Sequence, residues 1–325
     1  MLTVTGSIEP LRIANYLSPA PLYSWDFRSS SSSEVFASND LSISSRSISE
    51  EGLPSSDIIL ITGSWGAEHY ENASCLSWLR KQSRQGKTLI AIEMAVHTLA
   101  KTGLLADKRA TTHWSWKPGL AEAFPNIEVL EQLFTSDRTL HTVAGSMTCI
   151  DFMLSMIADH HGEDLAAEVG NQMLYCGRRP AEAPQRTLSN NQNQDTHQQV
   201  RAAISLIEQN IEDPLSVPQI CERLSISQRQ LERIFKRDTG CSIVQFRQLV
   251  RLQHARVLLT STSMSIREVA VACGFNSLSY FSLTFQKCFG KKPSLYRQAW
   301  PSSEPAPSWP GTLYDFVRED RGLNS

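Results

Sequence analysis

The chain has 325 residues, of which 41% are hydrophobic and 20% charged, and its net charge is −2. This composition suits about two packed domains and excludes a chain that is disordered throughout. The longest apolar runs are far shorter than the ~20 residues of a membrane-spanning helix, so no membrane partner is expected. Seven cysteines without a CxxC pair argue against a disulfide framework or a zinc site. They favour a reducing, cytoplasmic location, with no metal and no cofactor.

Charge divides the chain unevenly. Residues 1–199 carry 15 Lys and Arg against 22 Asp and Glu, whereas residues 200–298 carry 14 against 7. A basic segment beside an acidic one indicates a nucleic-acid-binding module attached to another domain. The stretch 178–199, rich in Pro, Asn, Gln and Ser, is predicted to be a flexible linker between domains 1–177 and 200–298. The polar tail 299–325 is predicted to be disordered.

Short β-rich runs alternate with helical patterns in the first domain. The predicted strands are 22–27, 57–62, 88–92, 127–134 and 139–143, and the predicted helices are 8–16, 73–85, 95–102, 119–124, 147–160 and 163–175. Apolar strands that alternate with helices predict an α/β fold with a doubly wound sheet.

The second domain is predicted to be all α-helical. Ser216, Ser227 and Ser265 each begin a capping-box pattern at the start of a predicted helix. Residues 215–236 and 265–289 each combine a short helix, a tight turn and a second helix with a polar face. This is the pattern of two helix-turn-helix units, whose second helices fit the major groove of DNA.

Residues 272–297, ACGFNSLSYFSLTFQKCFGKKPSLYR, resemble the signature of the AraC/XylS transcription regulators, and LSISQRQLERIFKRDTG from residue 224 matches as well. The resemblance implies that both recognition helices touch bases of double-stranded promoter DNA. The implied base-facing residues are Arg229, Gln230, Glu232, Arg233, Leu278, Ser279, Tyr280, Ser282 and Leu283. The two leucines suit thymine methyl groups better than hydrogen bonds. Phosphate contacts are expected from Lys236, Arg237, Lys291, Lys292 and Arg297. Alternatively, Arg233 is a structural surface residue and Glu232 only balances charge.

Residues 91–114, AIEMAVHTLAKTGLLADKRATTHW, resemble the strand-to-helix elbow of class-I glutamine-amidotransferase-like domains of the PfpI/GlxA type. In enzymes of that superfamily the elbow presents a nucleophilic cysteine. Here Glu93 takes the aligned position, so no thiol chemistry and no enzymatic activity are expected. Similarity continues over residues 6–16 and 141–174. It implies a sensor domain that binds a small metabolite and forms a homodimer.

Glu93 is the predicted contact for an amine-bearing effector, such as an amino acid or a quaternary amine. Trp65, His97, His113 and Trp114 are predicted to line the pocket. Alternatively, Glu93 caps a backbone turn and the aromatic residues belong to the core.

Relatives of this kind usually begin with a buried strand, for which MLTVTG is too short. Either that strand is absent and a sheet edge is unpaired, or the natural start lies upstream.

Together these features predict a transcription regulator that activates a catabolic operon and meets RNA polymerase. Two alternatives stay open. One is an amidotransferase-like hydrolase with an attached DNA-binding module. The other is a ligand-independent regulator whose first half only dimerises.

Overall fold

The computed structural model describes residues 1–30, 33–37, 39–50, 52, 54–64, 66–175, 177–185 and 198–298. The chain forms two compact units that divide after Arg186. Positions 186–197, most of the predicted linker, and the tail 299–325 lie outside the described residues. Within the described part, no helix is both long and apolar enough to cross a bilayer.

The first unit is built around a four-stranded sheet of order β5-β6-β10-β9, in which β9 alone runs antiparallel to its neighbour. Glu93 ends β6 and lies opposite Gly63 of β5. The strands of this unit are β1 Arg28–Ser29, β2 Glu34–Phe36, β3 Ser42–Ser44, β4 Arg46–Ser47, β5 Ile58–Gly63, β6 Thr88–Glu93, β7 Arg109–Thr111, β8 Glu128–Leu130, β9 Phe134–Asp137 and β10 Leu140–Val143.

Helices cover both faces of this sheet. Alternate residues of a strand point to opposite faces. Ile90 and Ile92 accordingly join the core formed with α1 and α5, whereas Leu89 and Ala91 join the core formed with α3 and α4. The α/β class is therefore confirmed. The helices of this unit are α1 Leu2–Leu17, α2 Ala73–Arg84, α3 Ala95–Lys101, α4 Lys117–Ala123, α5 Thr148–His161 and α6 Glu163–Gln172.

The N-terminal segment differs most from its prediction. Helix α1 begins at Leu2, six residues before the predicted start, because Gly6 and its neighbours pack against α5. The predicted strand 22–27 is not a strand. Instead, the Asn15 side chain accepts from the amides of Leu22 and Tyr23 and donates to the Tyr23 carbonyl. Side-chain bonds thus replace a strand ladder there.

Strand β5 lies at the edge of the sheet. Among the described residues its one sheet neighbour is β6. Ile58 and Leu60 reach the core on one face, and Ile59 and Ile61 reach the core on the other, yet all four stay partly exposed. An apolar edge strand of this kind presents unpaired backbone groups to its surroundings.

The chain after residue 177 is bound to the first unit rather than free. Asp151 on α5 is fully buried, and its carboxylate accepts from the Arg179 guanidinium at 2.6 Å and from the Tyr175 hydroxyl at 2.9 Å. The Gln185 side-chain amide donates to the carbonyls of Thr112 and Gln132 at 2.9 and 2.8 Å. The anchored chain therefore extends to Gln185, eight residues beyond the predicted boundary.

The second unit is helical throughout its described residues, as predicted. Its two cores lie around the two helix-turn-helix units. Ser216 and Ser265 form complete capping boxes, and Ser227 caps α9 through its side chain. The helices are α7 Gln198–Gln209, α8 Val217–Arg223, α9 Gln228–Thr239, α10 Ile243–Ser261, α11 Ile266–Ala272, α12 Leu278–Phe289 and α13 Pro293–Gln298.

Candidate functional site

Helix α9 is the first candidate recognition helix. Its buried face consists of Leu231, Ile234 and Phe235, so its other face is left to solvent. Gln228 donates a hydrogen bond of 2.8 Å to Glu232, which engages that carboxylate within the helix. The predicted contact residues on this helix are all exposed: Arg229, Gln230, Glu232, Arg233, Lys236 and Arg237.

Helix α12 is the second candidate recognition helix, and its exposed face is much less polar. Leu283 is 70% exposed, Tyr280 54% and Leu278 44%. The Tyr280 hydroxyl accepts a 3.0 Å bond from the side chain of Gln248 on α10. The other predicted contacts differ in exposure: Ser279, Lys291 and Lys292 are exposed, and Ser282 is half-buried. Arg297 lies in α13, and its side chain is outside the described part.

Two arginines one turn apart on α10 connect the helix-turn-helix units. Arg247 donates to the Leu215 carbonyl, just before α8. Arg251 donates to the Cys273 carbonyl at 2.7 Å and to that of the next residue. Its guanidinium lies 4.0 Å from the centre of the Phe275 ring, and burial lowers its pKa. These bonds hold both units against one helix. Sequence reasoning missed them, because carbonyl partners leave no sequence signal.

Gly274 lies in the turn of the second helix-turn-helix unit, with φ +71°. A Cβ atom there would lie 2.7 Å from the carbonyl oxygens of Ile211 and Glu212 and from Cγ of Pro214. The segment that precedes the first helix-turn-helix unit therefore packs directly on the turn of the second helix-turn-helix unit. Both the backbone angle and this close approach require glycine.

In the α/β half of the chain, Glu93 occupies the elbow between β6 and α3 with φ +60°. The Thr3 hydroxyl on α1 donates to its carboxylate at 2.9 Å, and the Thr112 hydroxyl donates to its backbone carbonyl at 2.9 Å. A Cβ atom on Gly145 would lie 2.7 Å from that of Glu93. Burial raises the pKa of Glu93. The predicted ligand contact is therefore partly enclosed and already has a hydroxyl partner, Thr3, that sequence reasoning missed.

The Thr112 bond brings the following residues to the elbow. The His113 ring lies 2.8 Å from the Ser115 hydroxyl and 5.4 Å from the centre of the Trp114 ring. The Trp114 amide donates to the Gln185 side chain at 2.7 Å. The structure thus ties the turn of His113 and Trp114 to Gln185 and, through the preceding Thr112, to the backbone of Glu93.

His97 lies on α3, and its side chain is buried in the core. It is 1% exposed, and its ring packs edge-on to Phe124 at 6.4 Å. Among the described residues neither ring nitrogen finds a hydrogen-bond partner, and burial lowers the pKa of His97 to about 4. This environment matches the core alternative for His97. Trp65 lies outside the described residues.

Two cysteines lie near these elements, and the thiol of Cys149 is not activated. Cys149 is buried at the start of α5, and burial raises its pKa to about 12. Cys75, on α2, is half-buried. In the part of the chain that the structure describes, no cluster of three His, Cys, Asp or Glu side chains could hold a metal ion.

Comparison with known proteins identifies both units. Residues 220–299 match the family model of a helix-turn-helix domain, and residues 26–159 match that of the DJ-1/PfpI family. The chain is 34% identical over 306 residues to the HTH-type transcriptional regulator CdhR of Pseudomonas aeruginosa. The aligned region covers 94% of this chain and 90% of that protein. It is 32% identical to GbdR of the same species, over 94% of this chain and 83% of that protein.

A third relative has the same extent. The HTH-type transcriptional regulator GlxA of Rhizobium meliloti is 30% identical over 92% of each chain. These relatives are transcription regulators rather than enzymes. Their similarity spans the α/β unit and the helical unit alike. The chain therefore belongs to the AraC family of DNA-binding transcription regulators that carry an N-terminal DJ-1/PfpI domain.

Proposed function

We propose that this regulator binds promoter DNA as a cytoplasmic homodimer, activates a catabolic operon through RNA polymerase, and responds to a small nitrogen-containing metabolite. The observation that carries the DNA-binding part is the exposure of both recognition helices on a unit with excess positive charge. The base contacts are Arg229, Gln230, Glu232, Arg233, Leu278, Ser279, Tyr280, Ser282 and Leu283. The phosphate contacts are Lys236, Arg237, Lys291, Lys292 and Arg297.

Fluorescence anisotropy tests this assignment. The full chain is titrated with its own upstream intergenic duplex and with a scrambled duplex, at several salt concentrations. We expect the native duplex to bind about 1,000-fold tighter. Arg229→Ala and Tyr280→Ala should reduce that preference, whereas Lys236→Ala should weaken both duplexes alike. Equal affinity for the two duplexes, with a steep salt dependence, would show phosphate neutralisation alone and would contradict sequence-specific binding to this DNA.

The effector site is proposed at the elbow. The Thr112 hydroxyl bonds to the backbone carbonyl of Glu93, and the next two residues are His113 and Trp114, whose ring centres lie 5.4 Å apart. A site in which these rings face the Glu93 carboxylate would suit an amine or a quaternary ammonium group. On binding, an amine-bearing effector would replace the Thr3 hydroxyl as the partner of Glu93. Burial raises the pKa of Glu93, and a cation beside this carboxyl group would lower it again.

A thermal-shift screen with amino acids and quaternary amines tests the effector site. A ligand that binds only the folded state raises the melting temperature. We expect one class to do so for the parent chain and for Glu128→Gln, an exposed control on β8, but not for Glu93→Gln. A flat screen would favour the ligand-independent alternative.

The hydrolase alternative has its own test. The elbow carries a carboxylate in place of a cysteine, and the buried Cys149 has a raised pKa. We therefore expect no turnover of amide, peptide or α-oxoaldehyde substrates. Turnover that Glu93→Ala abolishes would overturn this expectation.

A further inference from the structure

Helix α12 exposes an apolar surface where α9 exposes a polar one. The buried residues of the two helices align at an offset of fifty positions. At that offset Leu283 takes the place of Arg233, and Leu278 that of Gln228. Tyr280 lies between the leucines, and all three are among the exposed large hydrophobic residues of the chain.

The core of the domain does not explain this surface. Phe281, Phe285 and Cys288 fill the core side of α12. At 100° per residue, Leu283 lies 200° from Phe281, on the opposite side of the helix. An exposed leucine gains no hydrophobic free energy from folding, so the surface is best explained by something that covers it.

The charges around the surface favour DNA as that partner. Lys287 near the end of α12 and Lys291 and Lys292 just after it are exposed. No acidic residue occurs between Asn276 and Tyr296. A cationic border around an apolar centre is complementary to a major groove, where phosphates flank the base edges. The one apolar group on those edges is the 5-methyl group of thymine.

We propose that α12 reads thymine 5-methyl groups, with Leu283 as the main contact and Leu278 as the second, whereas α9 reads bases by hydrogen bonds. The inference rests on the proposed DNA-binding function and deepens it. It assigns a chemistry to each half of the operator. Recognition by α9 discriminates through polar groups of guanine or adenine, and recognition by α12 discriminates through methyl groups.

Deoxyuridine substitution tests the proposal, since deoxyuridine differs from thymidine only by the missing methyl group. Duplexes are first selected from a random library with the full chain, and their two half-sites are mapped by footprinting. The half-site that does not respond to Arg233→Ala is assigned to α12. Replacing its dT residues by dU should weaken binding about fourfold for each contacted methyl group. The same replacement in the α9 half-site should leave affinity unchanged.

Variants locate the contact. Leu283→Ala should bind the dT duplex more weakly than the parent chain does and should lose most of the distinction between dT and dU. Leu278→Ala, combined with it, should remove what is left of that distinction. Arg233→Ala, the matched control on α9, should bind more weakly but keep the distinction. Leu283→Gln provides a second exposed replacement of similar size, and circular dichroism checks that both Leu283 variants fold.

Three outcomes would overturn the inference. One is equal affinity of the parent chain for the dT and dU duplexes. A second is a dT preference that is as large in Leu283→Ala as in the parent chain. A third is a change in the sedimentation of DNA-free protein in Leu283→Ala with no loss of the dT preference, because the surface would then be a protein contact. Failure of the proposed function looks different, since the library would then yield no enriched sequence at all.

Discussion

The two helix-turn-helix units share one scaffold and differ in what they expose. Helices α9 and α12 both have twelve residues, both follow a capping serine, and both end at a left-handed glycine, Gly240 or Gly290. The outer side of α9 is basic and polar, whereas that of α12 carries leucines and serines. The buried positions therefore preserve the scaffold, and the exposed positions are left to differ in recognition.

The turns of the two units differ in a second way. Both require one left-handed residue, Ser225 with φ +51° in the first and Gly274 with φ +71° in the second. Ser225 is exposed, whereas Gly274 is crowded by the chain that precedes α8. The second turn is therefore part of the contact that joins the two helix-turn-helix units.

The largest expected effect separates these two turns. Gly274→Ala should destabilise the second helix-turn-helix unit by about 3 kcal/mol, because the methyl group adds steric overlap to an unfavourable backbone angle. Ser225→Ala should change stability by less than about 0.5 kcal/mol, since serine already has a Cβ atom. Hydrogen exchange of peptides from α8 to α12 measures both. Equal protection in the two variants would mean that the close contact at Gly274 relaxes without cost.

The next effect concerns recognition. Arg229→Ala should reduce discrimination between specific and scrambled DNA roughly tenfold to a hundredfold, if its guanidinium pairs with a base in bidentate fashion. Ser279→Ala, at the matching position of α12, should reduce it about tenfold or less, because a hydroxyl makes a single bond. Anisotropy with both duplexes compares the two. A larger loss for Ser279→Ala would reverse the assignment of the polar readout to α9.

Removing the helix caps should destabilise the two helix-turn-helix units by equal amounts. Ser216→Ala and Ser265→Ala each remove a complete capping box and should each cost about 1 kcal/mol. Hydrogen exchange in α8 and α11 reports each loss locally, with the exposed Ser279→Ala as a control for stability. A cost confined to one unit would show that the other helix is held by its packing instead.

The smallest effect concerns phosphate contacts. Lys236 on α9 corresponds to Gln286 on α12. Lys236→Gln should make the negative slope of log affinity against log salt shallower by about 0.9, and Gln286→Lys should make it steeper by a similar amount. Between 50 and 200 mM salt each change amounts to about threefold. Anisotropy across that range measures the slopes. Unchanged slopes would place both side chains away from the phosphates.

Local signals made much of this structure predictable. Ser216 and Ser265 each form a capping box with a residue three positions later, which marks the start of a helix in the sequence. The buried residues of α9 and α12 follow helical spacing. The elbow was placed through similarity at Glu93. Sequence could not supply the Thr3 bond to Glu93, which spans ninety positions. Nor could it show the crowding at Gly274, which depends on how two segments pack.

The predicted linker shows why composition can mislead. Residues 178–185 are polar and rich in proline, which is typical of flexible chain. Polar side chains can equally form bonds that hold a segment in place. Arg179 does so on the buried Asp151, and Gln185 does so on the backbone beside Thr112. Such partners lie far away in sequence, so composition alone could not reveal them.

The anchoring of Gln185 also limits the reach of the DNA-binding unit. Between Gln185 and the start of α7 at Gln198 the chain has thirteen Cα-to-Cα links. Even fully extended, they span no more than about 45 Å. That length corresponds to roughly thirteen base pairs of duplex, at about 3.4 Å per pair. A tether of 22 free residues would have allowed well over half as much again. One glutamine side chain thus shortens the longest tether that the chain between the two units can form.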